Sequence, residues 1–91
     1  MTTDGHKDAP QNAALASVLE NFPEAVDRIR ELFRQNPDFQ SLCEDYRECL
    51  GYCRYWRQVA SEQAPAYGKI YTELLQELEQ DIRQSLEPDA A

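Results

Sequence analysis

An apolar ladder runs through the middle of the chain and constrains its fold more than any other feature. Its members alternate three and four residues apart: Phe39, Leu42, Tyr46, Cys49, Cys53, Trp56 and Ala60. This heptad spacing places every member on one side of a long helix. Because an apolar helix side must be covered, the ladder predicts a helix that packs against a second helix.

A second ladder follows Pro65 and supplies the expected partner helix. Its members are Tyr71, Leu75, Leu78 and Ile82. Asn36 and Pro37 predict the start of the first long helix, since Asn caps helices and proline is tolerated in the first turn. The predicted fold class is therefore all-α, with a coiled-coil-like antiparallel hairpin of residues 37–63 against 65–86.

Two shorter helices are predicted before the hairpin. One covers residues 10–21, carries little charge, and is expected to dock only within an assembly. The other covers residues 22–35 and packs across the hairpin as a third element. Asn21 is its expected N-cap, because Glu24 follows three residues later as in a capping box.

The remaining residues lack helical periodicity and are predicted to be disordered tails. These are residues 1–9 and residues 87–91, which leaves 10–86 as a single helical domain. A core built from about 75 residues is small. Two long helices would also leave apolar surface exposed in a monomer, so the prediction is a homodimer or a higher helical bundle.

Charge and composition exclude several classes of partner. The net charge of −8 argues against binding nucleic acid or anionic lipid through a basic face. No apolar run approaches the ~20 residues that span a membrane, and the start of the sequence does not resemble a signal peptide. Three cysteines, an odd number without an export signal, indicate a reducing compartment and predict a cytoplasmic protein.

The cysteines are the first candidate for chemistry. Cys49 and Cys53 lie four residues apart on one helical face, a spacing that can place two ligands on one metal. Cys43 lies roughly on the opposite side, and a tetrahedral site needs four ligands. We therefore interpret Cys49 and Cys53 as small apolar core residues. The alternative is a thiol-based metal or redox sensor formed across an oligomer interface.

A cluster of aromatic residues and arginines is the second candidate. It consists of Tyr52, Arg54, Tyr55, Trp56 and Arg57. Aromatic and arginine side chains together are typical of binding hot spots, but they are also compatible with a core and its rim. Both interpretations stay open. The acidic pairs of the last helix are interpreted as a solvated face.

No motif indicates catalysis. The sequence has no glycine-rich phosphate loop and no Ser/His/Asp set, so we predict a non-enzyme without a cofactor. The predicted function is a non-catalytic interaction or structural module that acts by helix packing with itself or a protein partner. Its expected interaction seam is Phe39, Leu42, Tyr46, Trp56, Tyr71, Leu75, Leu78 and Ile82. A further alternative is an acidic adaptor that holds a basic protein on its last helix.

Part of the sequence resembles the YdcH-like family of short bacterial helical proteins of unknown function. The resemblance covers residues 22–86 and depends on Phe22-Pro23-Glu24, Asp27, Ile29, Leu32, Asn36-Pro37, Phe39 and Ser41-Leu42. It implies a helical hairpin with no established catalytic residues. The last helix departs from the family, being acidic where those proteins tend to be lysine-rich.

Overall fold

Helices account for nearly all of the chain. The structure, a computed structural model, describes the backbone of residues 3–87 and the side chains of residues 12–87. Within this range lie α1 (Thr3–Asn21), α2 (Val26–Gln35), α3 (Pro37–Gln58) and α4 (Ala64–Leu86), with a 3₁₀ turn, Pro23–Ala25, before α2. No strand occurs between residues 3 and 87. The predicted all-α class is confirmed.

The start of α3 is the one that the sequence predicts. The side chain of Asn36 accepts hydrogen bonds from the backbone N–H groups of Asp38 at 2.9 Å and Phe39 at 3.2 Å. Pro37 follows as the first helical residue, where its missing N–H group would have had no partner. Since the Asn36 N–H bonds to the Leu32 carbonyl, the cap satisfies the two donors that remain free at this helix end.

The end of α3 comes five residues earlier than predicted. The helix stops at Gln58, and Val59 is extended with φ −81° and ψ 128°. Ser61 Oγ accepts a hydrogen bond from the backbone N–H of Gln63 at 3.2 Å. A β-branched residue and a serine that bonds locally both favour non-helical backbone, which explains the early stop. Ala60, the last member of the predicted ladder, therefore lies exposed in the connection.

Helix α4 packs along α3. The Tyr46 hydroxyl donates to Glu79 Oε2 at 3.2 Å, and the ring of Trp56 stacks on Tyr67 with centroids 4.7 Å apart. Residues nearer the end of α3 thus contact residues nearer the start of α4. Both contacts join a member of the first ladder to an α4 residue outside the second ladder.

Helix α1 docks on α3 within the same chain, so the expectation that this segment docks only in an assembly is wrong. Ala14 and Val18 are 0% exposed, and α1 makes more contact with α3 than with any other element. Helix α1 also begins at Thr3 rather than at residue 10. The expected start depended on apolar periodicity, which residues 3–9 lack. Residues 1–2 and 88–91, parts of the predicted tails, lie outside the described residues.

The corner between α1 and α2 differs from the predicted capping box. Asn21 is the last residue of α1, and its side chain donates to the Ser17 carbonyl at 2.7 Å instead of capping the next helix. The predicted helix 22–35 is divided into the 3₁₀ turn and α2. Phe22, 4% exposed, fills the corner under the Arg83 guanidinium, 5.4 Å from the ring centroid. An apolar side chain closes this corner, so no polar cap is needed.

The core lies where all four helices meet. Its buried members are Ala14, Val18, Phe22, Ile29, Phe39, Cys43, Tyr46 and Ile82. They come from the first half of α3 and the last part of α4, together with α1 and α2. Among residues 12–87, no buried member of this core cluster comes from the other end of the α3–α4 pair, near the connection 59–63.

Candidate interaction surface

Large apolar side chains are exposed on the half of α3 and α4 that is nearest the connection. They form what we call the tip surface: Tyr52, Tyr55, Tyr67, Ile70 and Leu74. Their exposure runs from 41% for Tyr67 and Leu74 to 56% for Tyr55. Helices α1 and α2 contribute their buried residues to the opposite end, and no side chain of residues 12–87 buries these five.

Stacked aromatic rings hold the tip surface in place. Trp56 contacts Tyr67 face to face and the edge of Tyr55, with centroid distances of 4.7 and 5.0 Å. Tyr52 stacks on Tyr71 at 4.9 Å. Such pairs contribute about 0.5–1.5 kcal/mol each beyond the area that they bury. The three tyrosines of the tip surface are therefore each held by contact with another ring.

Trp56 is only half-buried, although the ladder predicted a buried seam position. The ladder correctly placed Trp56 against α4, where Tyr67 meets it. At this end α4 supplies a single layer of cover, and no further helix covers the indole. A heptad pattern specifies the side of a helix that is apolar but not how much of that side a neighbour covers.

A groove crosses the outer face of α3 from Ser17 on α1 to Tyr71 on α4. It has a volume of about 560 Å³, and we call it the arginine groove because Arg47 and Arg54 line it with Gly51 between them. Its remaining lining is Glu48, Leu50, Tyr52, Tyr55 and Trp56. Most members of the predicted aromatic–arginine cluster thus share one groove. Arg57 instead lines a separate depression of about 440 Å³ at the connection.

The arginines of the groove have no carboxylate partner within the part of the chain whose side chains are described. The ion pair found there is Arg28–Glu31 on α2, at 3.3 Å. Arg47 and Arg54 are both exposed. Two arginines against one acid, Glu48, leave the groove lining with a net positive charge in a protein whose net charge is −8.

A ridge on α4 lies beside the groove. The α4 ridge consists of the exposed side chains of Ile70, Glu73, Leu74 and Glu77, spaced to share one helical face. Tyr52 and Tyr71 line both the arginine groove and a depression of about 190 Å³ that Leu74 also lines. Groove and ridge are therefore neighbouring parts of one surface.

The eight predicted seam residues divide between core and partial burial. Phe39, Tyr46 and Ile82 are buried in the core. The other five are half-buried along α3 and α4: Leu42, Trp56, Tyr71, Leu75 and Leu78. The sequence analysis missed Arg47, Gly51 and the α4 ridge. Spacings of four and three residues between Arg47, Gly51 and Arg54 were a signal, since they place the three on one face.

The three cysteines are free and buried. The Cys49 thiol donates to the Tyr71 carbonyl at 3.3 Å. Burial raises the pKa of Cys43 to about 12, with a further contribution from Glu44. Burial, followed by the neighbouring Cys53 thiol, raises the pKa of Cys49 to about 11. Both thiols are protonated at neutral pH, whereas metal binding and nucleophilic attack need thiolates. Residues 12–87 hold no group of three metal-binding side chains.

The raised thiol pKa values predict a loss of stability at alkaline pH. In the unfolded chain a cysteine ionises near its ordinary pKa of 9.0, whereas Cys43 and Cys49 stay protonated to about 12 and 11 in the fold. The contribution of these two thiols to the free energy of unfolding is complete below pH 9 and is lost as the pH rises towards 11–12. Between pH 9 and pH 10 we expect each thiol to lower the free energy of unfolding by about 1 kcal/mol.

Urea unfolding across this pH range measures the effect. The control is Cys43→Ala with Cys49→Ala, whose stability should fall less steeply with pH because the other titrating groups are unchanged. An equally steep fall in this variant would contradict the assigned burial of the thiols.

Comparison of the chain with protein-family models, with curated proteins and with solved structures gives no match. The similarity to YdcH-like proteins stays a prediction that depends on the residues quoted for it. None of the helices within residues 3–87 is long and apolar enough to cross a membrane.

Proposed function

We propose that this protein is a non-catalytic helical interaction module that associates with further copies of itself through the tip surface. In this proposal α3 and α4 act as a rigid antiparallel hairpin, and association of hairpins buries their uncovered end. The observation that carries it is the exposure of five large apolar side chains, all on the half of α3 and α4 nearest the connection. Monomeric proteins rarely leave large contiguous apolar patches in water.

The chemistry of the surface supports binding. Tyrosine, tryptophan and arginine are the residue types enriched at the centres of protein interfaces. Here the tyrosine and tryptophan rings are held by stacking, so they lose little side-chain freedom on association. The cysteines do not contribute to this surface, because all three are buried. The observations thus favour packing over thiol chemistry.

The proposal is tested by replacing Tyr55, Ile70 and Leu74 together with serine. All three are exposed, so the midpoint of thermal unfolding measured at a dilution where the wild type is dissociated should change little. Burying one such side chain contributes about 1.5–3 kcal/mol, so we expect the dissociation constant of the assembly to rise at least about tenfold. Sedimentation equilibrium across a concentration series measures it, against a single-chain mass of 10.5 kDa.

A matched control replaces three exposed side chains at the covered end with serine: Glu24, Arg34 and Gln84. This change leaves the net charge as it is and should leave association intact. A wild type that keeps the mass of one chain up to its solubility limit would overturn the proposal. An equal loss of association in both triple variants would also contradict it.

A further inference from the structure

We infer that the arginine groove of one copy receives the α4 ridge of a second copy. This inference rests on the proposed self-association and names the surfaces that meet. The groove offers Arg47 and Arg54 beside aromatic rings, and the ridge offers two carboxylates beside two aliphatic side chains. Each surface is incomplete in the single chain, and each supplies what the other lacks.

Charge complementarity is the first argument. Arg47 and Arg54 are exposed in the groove, and within residues 12–87 neither has a carboxylate partner. Glu73 and Glu77 are exposed on the ridge and make no ion pair within the same range. Guanidinium and carboxylate groups form bidentate hydrogen bonds whose geometry fixes orientation as well as energy. A second copy brings these four groups together without any foreign partner.

The dimensions of the two surfaces also agree. Arg47 and Arg54 are seven residues apart on α3, and the ends of the ridge, Ile70 and Glu77, are seven residues apart on α4. Both spans are about 10.5 Å at the rise of an α-helix. Glu73 and Glu77 are four residues apart, about 6 Å along the axis, so the long arginine side chains must converge on them while Ile70 and Leu74 face the aromatic part of the groove.

The position of groove and ridge on the molecule suits a two-fold symmetric dimer. The two surfaces are neighbours, joined through Tyr52 and Tyr71. A two-fold axis near these rings brings each ridge to the other copy's groove, so the same contact forms twice. Such an interface is closed and does not continue into a filament.

Gly51 supports a close helix–helix contact at this place. A Cβ atom there would meet nothing within 4 Å, so packing inside the single chain does not require glycine. In the middle of α3 glycine costs about 1 kcal/mol relative to alanine. A residue without a side chain lets a second helix approach the floor of the groove closely.

A charge exchange between two variants tests the inference. The groove variant is Arg47→Glu with Arg54→Glu, and the ridge variant is Glu73→Arg with Glu77→Arg. Alone, each variant places like charges opposite each other, and we expect its dissociation constant to rise about tenfold or more. In a one-to-one mixture both contacts of the mixed dimer again join opposite charges, so affinity should return to near the wild-type value.

The control is Arg30→Glu with Arg34→Glu, which makes the same change of charge on exposed positions of α2. It should associate more tightly than the groove variant, and mixing it with the ridge variant should not restore affinity. The groove and ridge variants differ in mass, so native mass spectrometry separates mixed dimers from unmixed ones. Sedimentation equilibrium gives the dissociation constants.

The outcomes separate this inference from the proposed function. Restoration of affinity in the mixture, absent with the control, supports the inference. Wild-type association that neither charge variant weakens overturns the inference and leaves the proposed function standing. Weakening by both variants without restoration in the mixture also overturns it, since groove and ridge would then bind different partners. A wild type that stays monomeric overturns both.

Discussion

Tyr46→Ala should lower the free energy of unfolding by about 3–5 kcal/mol, as expected for the removal of a buried aromatic side chain. Tyr46 is 0% exposed and is the largest fully buried side chain described. Its ring lies 6.2 Å from that of Phe22, so the substitution leaves a cavity at the junction of α1, α3 and α4. A chain of this length has a total stability of about 5–14 kcal/mol. The substitution therefore removes a large share of the total stability, and urea titration followed by circular dichroism measures the loss.

Two further substitutions locate the source of this effect. Tyr46→Phe keeps the ring and removes the hydrogen bond to Glu79, so it should cost about 1 kcal/mol. Burial and then the adjacent Glu79 raise the pKa of Tyr46, so the hydroxyl stays a donor at any ordinary pH. Trp56→Ala should cost roughly half as much as Tyr46→Ala, because the indole is half-buried. Equal losses in the free energy of unfolding for Tyr46→Ala and Trp56→Ala would mean that the buried core extends to the tip surface.

The parts of this fold that the sequence predicted are those specified by local signals. The Asn36 cap and the apolar spacing on α3 and α4 involve residues within a few positions of one another. Local chemistry alone can therefore indicate them. The end of α3 was missed because its stop depends on Val59 and on the turn at Ser61, which break an apolar pattern that formally continues to Ala60.

The candidate interaction surface was only partly predictable, for a different reason. Tyr55 and Arg54 could be identified as candidate binding residues from their residue types alone. Arg47 and Gly51, however, resemble an ordinary solvated helix face when taken alone. Their meaning depends on Ser17 and Tyr71, which the fold brings from other helices to the two ends of one groove. Sequence periodicity does not contain that tertiary information.

The docking of α1 was the other element that sequence reasoning could not establish, and Val18→Asp tests it directly. Val18 is 0% exposed, so the substitution would bury a carboxylate with no partner. We expect a loss of about 4 kcal/mol or more in the free energy of unfolding, measured by urea titration, because burying an unpaired charge is very unfavourable.

The matched control for this substitution is Ala16→Asp, which adds the same charge two residues earlier, on the exposed side of the same helix. It should lower the free energy of unfolding by less than about 1 kcal/mol, because only helix propensity and the interaction of a charge with the helix end change. Equal small losses would show that α1 is not docked. The apolar side of α3 around Cys43 and Leu50 would then need another cover, and an assembly would have to supply it. A large difference instead means that α1 completes this side of the core within one chain. The tip surface is then left as the part of the molecule that an associating copy can bury.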